Sequence, residues 1–198
     1  PIYYIEHGFF PIPELTGNVA MQVVTSGPDS PIQGIKETFI KMITNAKNEI
    51  FIQTPYFVPD ESFSTALRIA IASGVKVKIM VPRKPDHRTV YWVTLSYLKE
   101  LIDLGVEIYL YNGFLHSKTI IVDDNKLSIG TCNLDNRSFG LNFEDTVLFY
   151  SKDLTSEYKG YYKEDEAHCL YADKTFFKKK KPLTRFLQAI FRLFSAIF

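Results

Sequence analysis

The sequence has few cysteines and no long apolar run. Two cysteines, Cys132 and Cys169, occur among its 198 residues, which is too few for a disulfide-based scaffold and fits a reducing compartment. No stretch reaches the roughly 20 apolar residues that span a bilayer, and the N-terminus lacks the pattern of a signal peptide. Transmembrane segments, if the protein has any, are therefore expected outside this chain.

The sequence also lacks any group of histidine, cysteine and acidic residues at the spacing of metal ligands. It therefore predicts neither a metal ion nor another cofactor. Two of its four histidines, His7 and His168, have no chemical partner at a fixed spacing and are expected to be structural.

Acidic residues are missing from the end of the chain. Residues 1–173 carry 16 basic and 22 acidic side chains, a net charge of −6, whereas residues 174–198 carry seven basic and no acidic side chains, a net charge of +7. The overall charge of +1 thus combines an acidic body with a basic tail. In the tail, Lys178–Lys181 precede apolar residues at helical spacing, which are Leu183, Phe186, Leu187, Ile190, Phe191, Phe194, Ile197 and Phe198.

This pattern predicts a C-terminal amphipathic helix that is too short to span a membrane. Adjacent lysines beside an apolar face favour contact with an anionic membrane surface, where each lysine contributes about 1 kcal/mol. The alternative is a helix that packs on its own domain or on a partner. Nucleic acid is not expected as a partner, because the apolar face gains nothing from a duplex.

Strand and helix patterns alternate through residues 19–173, which we interpret as one domain. Residues 1–18 show no period, and we interpret them as a connector from a missing upstream half, the alternative being a processed N-terminal arm. Strands are predicted at 19–25, 49–53, 75–81, 106–111, 120–122, 127–129 and 146–150, and helices at 31–46, 60–72, 89–104 and 154–171. This alternation predicts an α/β sandwich, with helices flanking a central mixed or mostly parallel sheet.

One stretch combines a histidine, a lysine and an amide at fixed spacing. His116 and Lys118 begin the pattern H-x-K-x4-D, which ends at Asp123, and Gly130-Thr-Cys-Asn133 follows six residues later. The apolar runs on either side of the turn-forming Asp124-Asn125 pair predict a hairpin. Because side chains alternate along a strand, His116 and Lys118 are expected to share one face, and the return strand brings Asn133 back towards them.

These residue types suit a phosphate ester. A histidine forms a covalent bond to phosphorus or moves a proton near neutral pH. Lys118 and Asn133, assisted by Thr131, are expected to bind the phosphoryl oxygens. The sequence therefore predicts a site for phosphodiester chemistry.

At these residues the chain resembles the phospholipase D superfamily, whose signature is this HKD motif. The likeness continues through Leu134-Asp-Asn-Arg-Ser-Phe-Gly-Leu-Asn-Phe-Glu144 and is closest to the second HKD half of bacterial cardiolipin synthases, over most of residues 19–173. Thr131 departs from the more common serine but keeps the hydroxyl. Cys132 fills an unconstrained position, and we interpret it as small packing rather than a reactive thiol.

The resemblance implies transfer of a phosphatidyl group from one phosphatidylglycerol to another through a phosphohistidine, with release of glycerol. It implies the catalytic set His116, Lys118, Asp123 and Glu144, in which Glu144 hydrogen-bonds the imidazole of His116. His116 resembles the general acid/base, although one half does not settle its role against the nucleophile's. Asp123, at the predicted turn, is expected to be structural.

The chain contains a single H-x-K pattern and so supplies one half-site. The resemblance implies that the other half-site comes from an N-terminal HKD half of the same polypeptide or from a second subunit. It also implies a bacterial protein that associates with the cytoplasmic side of the cell membrane.

Two loops are expected near the site. Tyr56 follows the strand 49–53, at the end of the sheet where α/β proteins bind ligands, so it lines the pocket or packs on the neighbouring prolines. His87 lies in a cationic loop, residues 82–88, which is either a phosphate-entry loop or a solvated charge cluster. Cardiolipin synthases carry a similar Lys-Pro-Asp-His-Arg segment, which favours the first interpretation.

Three alternatives to a phosphatidyltransferase remain. A hydrolytic phospholipase D shares every site residue. A nuclease of the same superfamily assembles its site from two single-motif chains, but the acidic body and apolar tail suit DNA poorly. A catalytically idle membrane-binding module is disfavoured by the intact His116, Lys118 and Asn133.

Overall fold

The computed structural model describes residues 17–84, 86–178 and 190–193. The strands in this part of the chain are β1 (Ala20–Ser26), β2 (Glu49–Gln53), β3 (Phe57–Val58), β4 (Lys76–Pro82), β5 (Glu107–Tyr111), β6 (Thr119–Val122), β7 (Lys126–Gly130), β8 (Leu134–Asp135), β9 (Glu144–Tyr150) and β10 (Cys169–Tyr171). The helices are α1 (Gly34–Thr44), α2 (Glu61–Ala72), α3 (Arg88–Asp103), α4 (Asn136–Gly140), α5 (Lys152–Ala167) and α6 (Lys174–Lys178).

Eight strands form one mixed sheet in the order β1-β9-β7-β6-β2-β4-β5-β10. β2, β4 and β5 are parallel, as the intervening helices α2 and α3 require. The hairpin β6–β7 is antiparallel and is inserted between β2 and β9. The predicted mixed sheet, with antiparallel pairing at the motif hairpin, is thus confirmed.

Helices cover both faces of this sheet. The larger core holds Ile50 and Ile52 of β2 together with buried residues of α1, α2 and α3. Phe51 points to the opposite face, where its ring lies 5.0 Å from that of Tyr162 in α5. Because the side chains of β2 alternate between two cores, one on each face of the sheet, the fold is the predicted α/β sandwich.

The sheet register brings four loops to one edge. Gln53, the last residue of β2, lies opposite both Met80 of β4 and Thr119, the first residue of β6. Thr119 in turn lies opposite Ile129, near the end of β7. The segments after β2, β4 and β7 and the segment before β6 therefore meet at the carboxyl ends of the parallel strands, where α/β sheets commonly bind ligands.

A second sheet, β3 paired in parallel with β8, was not predicted. Each strand has two residues, too few to show a period of two in the sequence. Phe57 lies opposite Leu134, so this pairing ties the loop after β2 to the segment after β7.

The helix predicted at 154–171 is wrong at both ends. Ser151 starts α5 at Lys152, because its hydroxyl accepts a hydrogen bond from the backbone N of Leu154 at 3.3 Å. After His168 the chain forms β10, in which Cys169 lies opposite Tyr111 of β5. Pairing with an otherwise exposed sheet edge satisfies backbone groups that a longer helix would leave open.

The described part of the tail packs on α3. Phe177 is buried in the larger core, and the ring of Phe191 lies 5.6 Å from that of Trp92. Arg192 forms an ion pair with Glu100, with Nη2 2.9 Å from Oε2. These contacts favour the alternative in which the tail packs on its own domain.

Other predictions lie outside the described residues. They concern the connector up to residue 16, Lys179–Lys181 and the apolar positions of the tail helix other than Ile190 and Phe191. Within the described ranges, no helix is long and apolar enough to cross a membrane.

Candidate active site

His116 and Lys118 lie in the extended segment that leads into β6, rather than on the strand itself as predicted. Lys118 Nζ donates to the backbone O of His116 at 2.8 Å and lies 3.2 Å from its Nδ1. Alternation along extended chain nevertheless places both side chains on one side. The imidazole is exposed and stacks on Phe114, with ring centroids 5.7 Å apart and planes 11° apart.

This contact favours one tautomer of the neutral imidazole of His116. A protonated lysine has only hydrogen-bond donors, so the 3.2 Å contact is a hydrogen bond where Nδ1 is unprotonated and accepts. In the neutral imidazole the proton then lies on Nε2. No hydrogen bond from the part of the chain that the structure describes reaches Nε2, which leaves this N–H available to a substrate.

Lys118 is the cation at the centre of the site. Burial lowers the pKa of its ammonium group, while the carboxylates of Glu144, Asp135 and Asp86 oppose that shift. The three carboxylates come from three different segments, so the fold rather than the local sequence assembles this charge balance.

Gly130 and Thr131 hold the segment after β7 against β9. A Cβ at Gly130 would collide with backbone atoms of Asp145 and Thr146, so only glycine allows this approach. The hydroxyl of Thr131 accepts from the backbone N of Asp145 at 3.0 Å and donates to its carbonyl at 3.3 Å. These bonds give the predicted phosphate ligand Thr131 a structural function.

Asn133 presents an unusual amide. Its side-chain oxygen is buried and has no hydrogen-bond partner among the described residues. A hydrogen bond from Asn133 lowers the pKa of Asp135, although burial, the larger effect, raises that pKa overall. An unpaired buried polar atom costs about 1–3 kcal/mol, and a bound water or a ligand would satisfy it.

Asp135 is held in place by the helix that follows it. Its carboxylate accepts from the backbone N of Ser138 at 2.6 Å and caps α4. The cap directs this buried carboxylate away from solvent while keeping its charge close to Lys118.

Glu144 does not make the bond expected from the resemblance. In the part of the chain described here, no hydrogen bond joins it to His116. Its Oε1 accepts from Asn142 Nδ2 at 3.0 Å, and Asn142 Oδ1 accepts from Arg137 Nε at 3.4 Å. The buried carboxylate therefore acts on the site by raising the pKa of Lys118.

Asp123 lies at the opposite end of β6 from Lys118. It has a left-handed φ of 52°, and its carboxylate accepts backbone N–H groups of Lys47 at 2.9 Å, Asn48 at 2.7 Å and Glu49 at 3.1 Å. Although part of the motif, Asp123 thus fixes the hairpin to the loop before β2. We remove it from the catalytic set and keep its expected structural role.

Tyr56 and His87 line a cavity of about 420 Å³, together with Asn133 and Arg137. The Tyr56 hydroxyl donates a short hydrogen bond to Asp86, whose other oxygen accepts from the backbone N of His87 at 2.7 Å. Burial, followed by the bond to Asp86, raises the pKa of Tyr56. Both loops predicted to lie near the site therefore reach it.

Cys132 is buried in the larger core, and burial raises the pKa of its thiol. A thiol in this state is a poor nucleophile. This arrangement fits small packing, as we interpreted the residue.

The residues of this site lie within the stretch of the chain that matches known proteins. Residues 39–166, more than half of the chain, match the family model described as "Cardiolipin synthase, PLD-like domain". The chain belongs to this family. It is 50% identical over 182 residues to a cardiolipin synthase of Oceanobacillus iheyensis, covering 91% of this chain and 38% of that protein. It is 55% identical over 150 residues to the major cardiolipin synthase ClsA of Bacillus subtilis, covering 75% and 31%.

The chain thus spans about a third of the length of these two relatives. Among solved structures, the phosphatidylserine synthase of Haemophilus influenzae matches with a TM-score of 0.76 at 15% identity, covering 91% of this chain and 48% of that one. At this identity the match shows the fold alone.

Sequence reasoning missed several residues of this PLD-like domain. We assigned no role to Asp86, Asp135, Arg137 or Asn142, although each lies in a stretch that we quoted. A helix-capping signal was available for Asp135, which precedes Ser138 by three residues. The others act through contacts between segments, which spacing along the chain does not reveal.

Proposed function

We propose that this chain is one catalytic half of a cardiolipin synthase-like phosphatidyltransferase, which joins two phosphatidylglycerol molecules and releases glycerol. The observation that carries the proposal is the contact of Lys118 Nζ with His116 inside the HKD pattern. Relatives named cardiolipin synthase, at 50% and 55% identity, support the choice of lipid.

The reaction we propose has two displacements at one phosphorus. One histidine attacks the donor phosphate, so that a P–N bond forms and the P–O bond to glycerol breaks, while a second histidine protonates the leaving oxygen. The second histidine then takes a proton from an acceptor hydroxyl, whose oxygen forms a new P–O bond as the P–N bond breaks. Lys118 and Asn133 stabilise charge on the non-bridging oxygens.

The assignment of His116 as the general acid/base follows the resemblance. Its Nε2 bonds no described residue and is open to a substrate oxygen. As the imidazolium, His116 gives a proton to the leaving oxygen, and the neutral imidazole that remains takes a proton from the acceptor hydroxyl. The nucleophile is then the histidine of the other half.

The second histidine has to come from outside this chain, either from an N-terminal HKD half of the same polypeptide or from a second subunit. Relatives of which this chain spans 38% and 31% have room for such a half. The surroundings of His116 also suit docking, since Phe114, which stacks on the imidazole, is 84% exposed. Apolar side chains this open at a site rim are expected to be covered in the assembled enzyme.

The proposed substrate and the basic tail favour association of the enzyme with the cytoplasmic side of a bacterial membrane. Lys178–Lys181 supply attraction to anionic headgroups of about 1 kcal/mol each. Because Phe177 and Phe191 pack on the domain itself, we assign the membrane contact to the lysines rather than to these aromatic residues.

The test replaces His116 with alanine in the assembled two-half enzyme, with His168→Ala as the matched control. His168 ends α5, where its backbone N donates to the carbonyl O of Asp165 at 2.9 Å and its own carbonyl O accepts from Asn112 N at 3.2 Å. With labelled phosphatidylglycerol, His116→Ala should lower cardiolipin formation by about 10²–10⁴-fold, the usual effect of losing a general acid/base. His168→Ala should retain activity within about twofold, a change small beside that loss.

Two outcomes would contradict the proposal. Equal losses in the two variants would show that His116 has no special role. Phosphatidic acid as the sole product, even with excess phosphatidylglycerol, would identify a hydrolytic phospholipase D instead.

A further inference from the structure

A polar cavity beside the motif is not used by the donor phosphate in the proposed mechanism. It has a volume of about 420 Å³, within the range of about 300–1,000 Å³ typical of small-molecule sites. Asn133 lines it and also belongs to the motif, so the cavity adjoins the reacting phosphate. Its wall includes Thr89 and Val90 at the start of α3, and Arg137 and Asn142 around α4.

Arg137 supplies the cavity with a cation, although the buried carboxylate of Asp135 also lines it. Arg68 and Arg192 form ion pairs with Glu61 and Glu100, whereas no such pair involves Arg137 in the described ranges. Its Nε donates to Asn142 Oδ1 at 3.4 Å, and its two terminal nitrogens make no hydrogen bond with those ranges. A guanidinium that is held through Nε, while its two terminal nitrogens make no bond to the described residues, is suited to bidentate binding of a phosphate.

One residue in the wall of the same cavity, Asn133, carries an acceptor without a donor. The buried side-chain oxygen of Asn133 has no partner among the described residues. A phosphate cannot supply the missing donor, because an ionised phosphodiester has only acceptors. A hydroxyl group can. The cavity thus combines a binding group for an anion with one for an alcohol.

We propose that this cavity binds the headgroup of the acceptor lipid, with Arg137 holding the acceptor's phosphodiester and Asn133 accepting a hydrogen bond from its glycerol. The inference rests on the proposed function and names the subsite that selects a lipid acceptor over water. The acceptor carries its own phosphate across a glycerol from the attacking hydroxyl. While Lys118 binds the donor phosphate, a second cation is needed for this second anion, and Arg137 is in place for it.

The experiment compares two soluble acceptors in the assembled enzyme. Glycerophosphoglycerol, the deacylated headgroup, carries the phosphodiester, and glycerol lacks it. Both are tested against the same phosphatidylglycerol donor, with labelled acceptor followed into product. For Arg137→Gln the ratio of kcat/KM for glycerophosphoglycerol to that for glycerol should fall about tenfold or more, mainly through KM, as expected for loss of a charge-assisted pair.

Two further variants sharpen the test. Arg137→Lys keeps the charge but loses the planar guanidinium that binds in a bidentate way. It should retain part of the preference for glycerophosphoglycerol. Arg68→Gln removes an exposed arginine whose ion pair with Glu61 lies on α2, outside the cavity. It should leave the ratio unchanged.

An unchanged ratio in Arg137→Gln would overturn the inference, as would equal losses with both acceptors, since Arg137 would then serve the donor or the fold. If the wild-type enzyme transfers phosphatidyl to neither acceptor nor to phosphatidylglycerol, the proposed function itself fails. The two failures are therefore distinguishable.

Discussion

At the scale of single residues, Lys118 has to remain protonated in a partly buried position. Burial lowers the pKa of its ammonium group, and Glu144 is the first of the charges that raise it. In the mechanism that we propose, only the protonated form donates to phosphoryl oxygens, so the neighbouring carboxylates should extend activity towards alkaline pH.

We expect Glu144→Gln to lower kcat by about tenfold, less than the roughly 10²–10³-fold cost of losing a transition-state donor outright. Without that carboxylate the pKa of Lys118 falls further, so the alkaline limb of the pH–activity profile should move to lower pH. The measurement is kcat and KM of the assembled enzyme across the alkaline range.

Asp145→Asn is the matched control, since Asp145 is the exposed neighbour of Glu144 on β9. It should leave the alkaline limb in place. If Glu144→Gln has a normal kcat and a raised KM, Glu144 is a substrate contact. If the alkaline limb of the pH–activity profile does not move, Glu144 does not act on the pKa of Lys118.

Spacing in the sequence pointed to His116, Lys118 and Asn133, because all three flank one short hairpin. The bond of Glu144 to His116 was expected from the resemblance rather than from spacing, and among the described residues Glu144 bonds Asn142 instead. A partner chosen by the tertiary fold is not encoded in the distance between residues along the chain.

At the scale of elements, the hairpin β6–β7 positions the motif, and Asp123 anchors the hairpin. Its left-handed φ of 52° is one that asparagine also tolerates. Asp123→Asn therefore removes the charge while keeping the backbone conformation. Losing charge-assisted bonds to the N–H groups of Asn48 and Glu49 should lower the free energy of unfolding by about 1–3 kcal/mol, measured by urea denaturation.

The effect should depend on pH. Burial alone would raise the pKa of Asp123, but the backbone N–H groups hold it below its ordinary value. Its stabilisation is then complete above the unfolded-state pKa and disappears as pH falls through the folded-state pKa. The wild type and Asp123→Asn should therefore converge in acid.

Asp124→Asn is the control for this element. Asp124 forms an ion pair with Lys159 at 2.7 Å, but its side chain is 81% exposed, and such pairs contribute about 0–1 kcal/mol. If the Asp123→Asn variant is as stable as the Asp124→Asn variant at neutral pH, the carboxylate of Asp123 does not anchor the hairpin.

The ends of helices were predictable where neighbouring residues in the sequence carried the signal. Asp60 caps α2, accepting from Phe63 at 2.9 Å, and Gly105 ends α3 with a φ of 94°, as their residue types suggest. The strand β10 was missed because its partner β5 lies far back in the sequence. Continuing the helical pattern past Ala167 ignored an open sheet edge that only the fold reveals.

At the scale of the whole molecule, the body of residues 1–173 and the tail of 174–198 carry opposite charge, −6 and +7. Arg192 of the tail forms an ion pair with Glu100 of the body. The ring of Tyr97 lies 4.4 Å from the same guanidinium, which strengthens this docking. Lys174 pairs with Asp103 at 3.3 Å in the same way. The lysine run 178–181 is the part of the tail that we propose for an anionic surface.

Replacing Lys178–Lys181 with glutamine should therefore weaken binding to vesicles that contain anionic lipid by about tenfold or more, since each lysine contributes about 1 kcal/mol there. Binding to zwitterionic vesicles should change little. The difference should vanish at about 1 M salt, where screening reaches about 3 Å. A control variant with the same charge change replaces four exposed lysines elsewhere on the body, Lys76, Lys99, Lys152 and Lys163. If the control loses as much affinity, net charge rather than the lysine cluster drives binding, and if neither loses any, the tail is not a membrane contact.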